Sequence, residues 1–312
     1  MRNAGQERGE LIITATELLF GPGAFGSWLA IAYLLVHFTM VIVAPRRPKS
    51  FRPILIIDLS LMAGFAGILL LATTPEWAHS GWLRFVRLWL PLIFFWWAYK
   101  WAAHTLYLFH PPEFCLDPMI IRLEKRYLGQ PSLWWARRGS PWLTELLHFF
   151  YATYYSYTPI IAIYLYVNRR FLEFEAVSFA VMLGYALSYI LFALVPVWGP
   201  RWGFVKEALL ESSEQRLRGY WITDLINYIM YEGIAYKGGA MPSAHSSTAV
   251  VFLLWCWGLW DLWGGIFATI IVVGMWVGSV YGRYHYVVDI LCGAVLGAAS
   301  VWVANNLILG RF

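Results

Sequence analysis

The chain has 312 residues, of which 60% are hydrophobic and 13% are charged, with 19 Trp, 19 Tyr and 20 Phe. Soluble domains carry about 25% charged residues, so this composition excludes an ordinary soluble domain and points to an integral membrane protein. The net charge of +5 comes from Lys and Arg in short stretches between apolar runs, a pattern of anionic lipid surfaces and membrane topology rather than of nucleic-acid binding.

In chain order, residues 1–10 are polar, and the short apolar run 11–20 carries Glu17 and ends at Gly-Pro-Gly, residues 21–23. It lacks a small-residue cleavage site and reads as an interfacial helix. Eight candidate spans follow, each near the roughly 20 residues that cross a bilayer. They are Phe25–Ala44, Pro53–Thr73, Leu88–Phe109, Trp142–Val167, Ala176–Val195, Ala244–Trp260, Ile266–Tyr281 and Val287–Leu309. The predicted fold is therefore an all-α polytopic bundle of six to eight spans with interfacial amphipathic helices.

Two polar stretches interrupt it. Residues 111–141 hold Asp117, Arg122, Glu124, Lys125 and Arg126 among Trp and Leu, and read as amphipathic helices with a solvated charged face. Residues 202–237 contain two further amphipathic segments, whose apolar residues include Leu209, Leu210, Trp221, Ile222, Ile226 and Ile229. The Tyr-rich face of the fourth span reads as helix packing, and His37, His79, His104, His110 and His148 as interfacial residues. Asp58, inside the second span, faces the bundle or lies near a helix end. Cys115, Cys256 and Cys292 form no spacing motif and are expected to be free thiols. No repeat or linker divides the chain, so 1–312 is expected to be one membrane domain, with N-terminal helices and an interfacial segment over 1–170 and a catalytic half over 171–312.

The chemistry gathers in that second half. Gly-Gly-Ala-Met-Pro-Ser-Ala-His-Ser-Ser, residues 238–247, precedes an apolar run, and Gly-Arg-Tyr-His-Tyr-Val-Val-Asp, residues 282–289, precedes the last one. Asp289 follows His285 by four residues, which places both on one helix face. The topology brings Arg201, His245, Arg283, His285 and Asp289 to the same side of the membrane. A two-histidine, one-carboxylate metal site is the first alternative, but neighbouring arginines repel a cation, so no metal and no cofactor is expected. Arginines beside a Gly- and Ser-rich helix start suit an anion, above all phosphate. A histidine held by a carboxylate is a nucleophile, and a second histidine protonates a leaving group. The constellation reads as phosphoryl transfer through a phosphohistidine.

These stretches resemble the motifs of the type 2 phosphatidic acid phosphatase superfamily. Residues 238–247 are similar to its Pro-Ser-Gly-His motif, residues 282–294 to its third motif with a His-x-x-x-Asp core, and Gly199-Pro200-Arg201 to its first, phosphate-binding motif. The whole pattern looks closest to the branch containing fungal inositol phosphorylceramide synthase. The resemblance covers about residues 196–297. It implies that His285 is the nucleophile, Asp289 its orienting partner and His245 the general acid, with Arg201, Arg283, Ser243 and Lys237 holding phosphate oxygens. The chain departs from the family pattern at three places. Leu194 stands where a lysine is usual, Pro200-Arg201 reverses the usual order, and Gly278-Ser279 replace a Ser-Arg pair. Arg283 and Lys237 are the nearest substitutes for the missing cations.

The expected substrate is a membrane lipid phosphate or diphosphate, joined by an acceptor lipid or alcohol if the head group is transferred rather than hydrolysed. No nucleic acid and no obligatory protein partner is expected. A non-catalytic transporter or scaffold is the alternative from another class, but such a protein has no need of both histidines and the aspartate. The positive-inside rule puts the site on the cytoplasmic face, whereas the resemblance implies an extracytoplasmic one; the latter is the expectation here.

Overall fold

A computed structural model describes residues 23–74, 80–211, 216–233 and 236–310. The expected interfacial helix at 11–20 and His79 lie outside the described residues. Those described form twelve α-helices, two π-helical turns and no strand. The helices are α1 (Phe25–Val43), α2 (Phe51–Leu71), α3 (Gly81–Ala102), α4 (Asp117–Leu128), α5 (Pro131–Arg137), α6 (Pro141–Val167), α7 (Phe171–Leu194), α8 (Pro200–Lys206), α9 (Trp221–Tyr228), α10 (Ala244–Leu259), α11 (Leu262–Tyr281) and α12 (Val287–Ala304).

Five helical stretches are long and apolar enough to cross a membrane: α1, α2, α7, α11 and Val287–Leu309. The apolar α10 is shorter, at 16 residues, and α3 and α6 reach 22 and 27 residues with more polar side chains. The protein is an integral membrane protein built as a helical bundle.

Helix starts follow local capping chemistry, which moves several bounds away from those read from hydropathy. The Ser80 side chain accepts from Leu83 N, so α3 begins at Gly81 rather than Leu88 and ends at Ala102 rather than Phe109. Asp261 accepts from Gly264 N and starts α11 at Leu262 rather than Ile266. Helix α7 begins at Phe171 rather than Ala176 and takes in Glu175, whose buried carboxylate accepts from Gly23 N (2.6 Å) and Phe25 N (3.0 Å). That acid satisfies the open N–H groups where α1 begins.

Buried on nearly every face, α7 packs against α1, α3, α6, α10 and α12. A helix apolar all round belongs at the centre of a bundle. Asp58 faces the bundle: its carboxylate bonds His37 Nδ1 at 2.8 Å and accepts from Trp101 Nε1 at 2.7 Å. This joins α1, α2 and α3 through a polar cluster whose members find no other partner in hydrocarbon. His37 is thus a buried bundle residue rather than an interfacial one, and so is His148.

The pair α10 and α12 is packed most closely. A Cβ at Gly293 would lie 2.2 Å from Ser243 O, and one at Gly297 would lie 2.3 Å from Ser247 O. Two glycines four residues apart let the backbones touch, as small residues do at membrane helix interfaces. The contact is reinforced by Ser243 N donating to Asp289 O (3.0 Å) and Ser246 Oγ to Ile290 O (2.8 Å). Gly293→Ala should force the two helix starts apart and cost about 1–3 kcal/mol. Thermal unfolding in detergent checks this, and a midpoint unchanged from wild type would show that the gap closes without strain.

Candidate active site

Where α6, α7, α8 and α10 meet the turns before α10 and α12, they enclose a cavity of about 520 Å³. Arg201, His245, Tyr284 and His285 line it, together with a wall of Tyr and Trp side chains.

His285 sits in the turn between α11 and α12. Tyr284 N and His285 N both donate to Ser279 O, at 3.0 and 3.3 Å, and Arg283 takes a left-handed conformation (φ 60°) to make the turn. His285 Nδ1 lies 3.0 Å from Ala240 O. A carbonyl only accepts, so Nδ1 carries the proton and Nε2 keeps a lone pair. Burial pushes the imidazole down to about 4; the Ala240 hydrogen bond opposes this and the Arg201 charge adds to it. His285 is therefore neutral at ordinary pH.

His245 occupies the first turn of α10, which is capped by Ser243. Its Nδ1 stands 3.4 Å from His285 Nε2. Its Nε2 stands 3.3 Å from Tyr151 Oη, and the Tyr154 ring lies 4.2 Å away, centroid to centroid. Arg201 lies in the first turn of α8. Its guanidinium sits 3.8 Å over the Trp202 ring and faces Tyr231 and Tyr284 at 5.4 and 5.7 Å. Arg201 N donates to Arg283 O at 3.1 Å, so the loops that carry Arg201 and His285 are joined backbone to backbone.

The other expected site residues are placed differently. Asp289 Oδ2 is 3.5 Å from His285 Nδ1, beyond a hydrogen bond, and accepts from Tyr286 N at 2.9 Å. It caps α12 beside the histidine, while the Ala240 carbonyl orients the ring. Arg283 does not line the cavity; its buried side chain directs Nε toward Ser132 O at 3.4 Å. The Ser243 hydroxyl is engaged as the α10 cap. Lys237 is exposed, with its ammonium 5.1 Å from the ring of Trp198, a residue of the cavity wall. The structure thus brings together Arg201, His245 and His285, with Asp289 behind them.

Two acids read as part of a solvated face prove to be buried. Asp117 accepts from Trp198 N (2.7 Å), Gly199 N (3.0 Å) and Tyr286 Oη (3.0 Å). Glu124 accepts from Val287 N, the first residue of α12. Burial raises the Asp117 carboxyl despite its three donors, and raises Glu124 to about 7. Asp117, Ile120, Ile121 and Glu124 fall on one helical stripe, and all four are buried. Acids at i and i+7 on the same face as isoleucines at i+3 and i+4 are the sequence signal that finds them. The Tyr-rich face of α6 is likewise not only packing, because Tyr151, Tyr154 and Tyr155 line the cavity.

Residues 118–303, more than half of the chain, match the family described as the PAP2 superfamily. The chain belongs to the PAP2 superfamily. No curated protein and no solved structure matches it. PAP2 membership supports a phosphatase- or phosphotransferase-type activity and fits a site with two histidines and an arginine. The matched region starts at α4, so Trp96, Trp97, Tyr99 and Lys100 of α3, which also line the cavity, lie outside it.

Asp117→Asn tests the support of the site. An amide cannot accept at both positions, which leaves a buried N–H facing an NH₂ group and costs about 1–3 kcal/mol. A lower unfolding midpoint together with weakened turnover is expected. Wild-type values for both would mean that the loops hold their shape without this carboxylate.

Proposed function

We propose that this PAP2 protein transfers a phosphoryl or phospho-head group from a membrane lipid through a phosphohistidine on His285. The observation that carries this reading is the proton arrangement at the histidine pair. His285 Nδ1 is committed to Ala240 O, so its bare Nε2 faces His245 Nδ1 across 3.4 Å beside Arg201. In the first half-reaction the Nε2 lone pair bonds to phosphorus, the bond to the leaving oxygen breaks, and the His245 Nδ1 proton passes to that oxygen. Arg201 neutralises the phosphoryl oxygens. In the second half-reaction an acceptor hydroxyl gives its proton to His245, its oxygen bonds to phosphorus, and the N–P bond breaks.

The acceptor is water in a phosphatase and an alcohol in a head-group transferase of the inositol phosphorylceramide synthase type. One observation favours transfer. Ile229 and Met230, from the segment after α9, add an apolar contribution to the cavity lining. The start of α9, which leads into that segment, is anchored to α6 through the Glu145 carboxylate, which accepts from Tyr220 N, Ile222 N and Thr223 N at 2.8 to 3.1 Å. A cover of this kind lowers access of water to a phosphoenzyme.

The test uses purified protein and lipid donors labelled on phosphorus. Wild type should form an acid-labile protein-bound label, and His285→Ala should lack both label and turnover. His245→Ala should slow turnover by about 10²–10⁴-fold. Undiminished turnover in the His285 variant would overturn the mechanism.

A further inference from the structure

His245 needs one nitrogen that gains and loses a proton and another that does not. Its two nitrogens have different neighbours: Nδ1 faces His285 Nε2, and Nε2 faces the Tyr151 hydroxyl at 3.3 Å. Tyr151 projects from α6, and its side chain is fully buried. Its hydroxyl also lies 3.7 Å from Met230 Sδ, a geometry in which the oxygen donates to sulfur. A phenol has one proton. When His245 carries both of its protons, as the acid of the first half-reaction does, Nε2–H donates to the phenol oxygen and the phenol's own proton turns to Met230 Sδ.

We propose that Tyr151 is the positioning residue of the general acid: it holds a proton on His245 Nε2 and so reserves Nδ1 for exchange with the substrate. This rests on the phosphohistidine reading above and adds the residue that sets the tautomer of His245. The logic is that of any catalytic histidine, whose working nitrogen is set by the hydrogen bond made at the other one. In the first half-reaction the Nδ1 proton moves to the leaving oxygen, and Nε2–H stays on Tyr151. In the second, Nδ1 takes the acceptor's proton, and Nε2–H still stays on Tyr151. Without the hydroxyl, neutral His245 is free to put its proton on Nδ1 and its lone pair toward α6, a form unable to accept the incoming proton.

Neighbouring groups do not perform the same task. The Tyr154 hydroxyl is engaged with Tyr185 Oη at 2.7 Å, and the Tyr284 hydroxyl with His148 Nε2 at 2.9 Å. His148 Nδ1 in turn meets Thr223 Oγ1 at 3.0 Å, and that hydroxyl donates to Glu145. Tyr151 Oη is the hydroxyl that meets His245 among the described residues.

Tyr151→Phe removes only this oxygen and keeps the ring that packs, tilted, with its centroid 4.5 Å from that of Tyr284. Two phosphate monoesters carrying the same tail separate positioning of the acid from shaping of the wall. One has an alkyl leaving group, which must be protonated; the other has a nitrophenyl leaving group, which departs as the anion. The variant should lose about 10–100-fold in kcat/KM, which reports only the steps through phosphoenzyme formation, on the alkyl ester, the scale of one buried hydrogen bond, and less than about 3-fold in kcat/KM on the aryl ester. In a His245→Ala background, Tyr151→Phe should cause no further loss on the alkyl ester. Equal losses on both esters, no loss on either, or an additive loss in the double variant would overturn the assignment. If wild-type protein turns over neither ester nor any lipid phosphate, the failure belongs to the proposed function instead.

Discussion

One buried carboxylate holds together the loops that carry Arg201 and His285. Asp117, at the start of α4, accepts three hydrogen bonds: two from the loop that leads to Arg201, and one from the tyrosine that follows His285. An acid buried without water is costly unless its lone pairs are filled, and here backbone and phenol donors fill them. Because those donors sit on two loops separated by more than 80 residues, satisfying Asp117 fixes Arg201 relative to His285. Gly203 makes room for the arrangement, since a Cβ there would lie 2.4 Å from Tyr286 Oη and 2.5 Å from Asp117 Oδ1. Glu124, two turns further along α4, holds the first N–H of α12 in the same way. An amphipathic helix thus docks on the bundle by its acids as well as by its isoleucines.

The same economy recurs through the bundle. Glu175 of α7 serves the start of α1, Glu145 of α6 serves the start of α9, and Asp58 of α2 joins His37 and Trp101. Each acid lies near open N–H groups or a ring donor of another element. Hydrocarbon offers no water to such groups, so each pairing specifies which helix lies beside which. The N-terminal helices are also more than a scaffold, because α3 contributes Trp96, Trp97, Tyr99 and Lys100 to the cavity wall. The wall combines residues from both sides of position 170, so the division of the chain into N-terminal and catalytic halves does not describe the site.

Much of this was legible in the sequence. Apolar run lengths gave the helical membrane class, and the Ala-His-Ser-Ser and Tyr-His-Tyr stretches gave both histidines. The roles of nearby residues were harder to read, because they depend on backbone direction. Arg283 lies two residues from His285, yet the left-handed turn at Arg283 points its side chain toward α5 instead of the cavity. Asp289 has helical spacing to His285, yet its oxygen serves the Tyr286 N–H, and a carbonyl 45 residues earlier in the chain takes the histidine proton. Asp117, Tyr151 and His148 act across long sequence separations, where local periodicity carries no information. The charge run at 117–126 reads as solvated when only its composition is weighed; taken by position, its two acids fall on the apolar stripe.

The central claim is that these loops present His285 Nε2, and no other nucleophile, to phosphorus. An experimental structure of the protein with orthovanadate tests it most directly, because vanadate adopts the trigonal-bipyramidal geometry of a phosphoryl group in flight. The account predicts vanadium bonded to His285 Nε2, equatorial oxygens toward Arg201, and the opposite apical oxygen within hydrogen-bond reach of His245 Nδ1. Vanadium bonded to His245, or vanadate held away from both histidines, would contradict it.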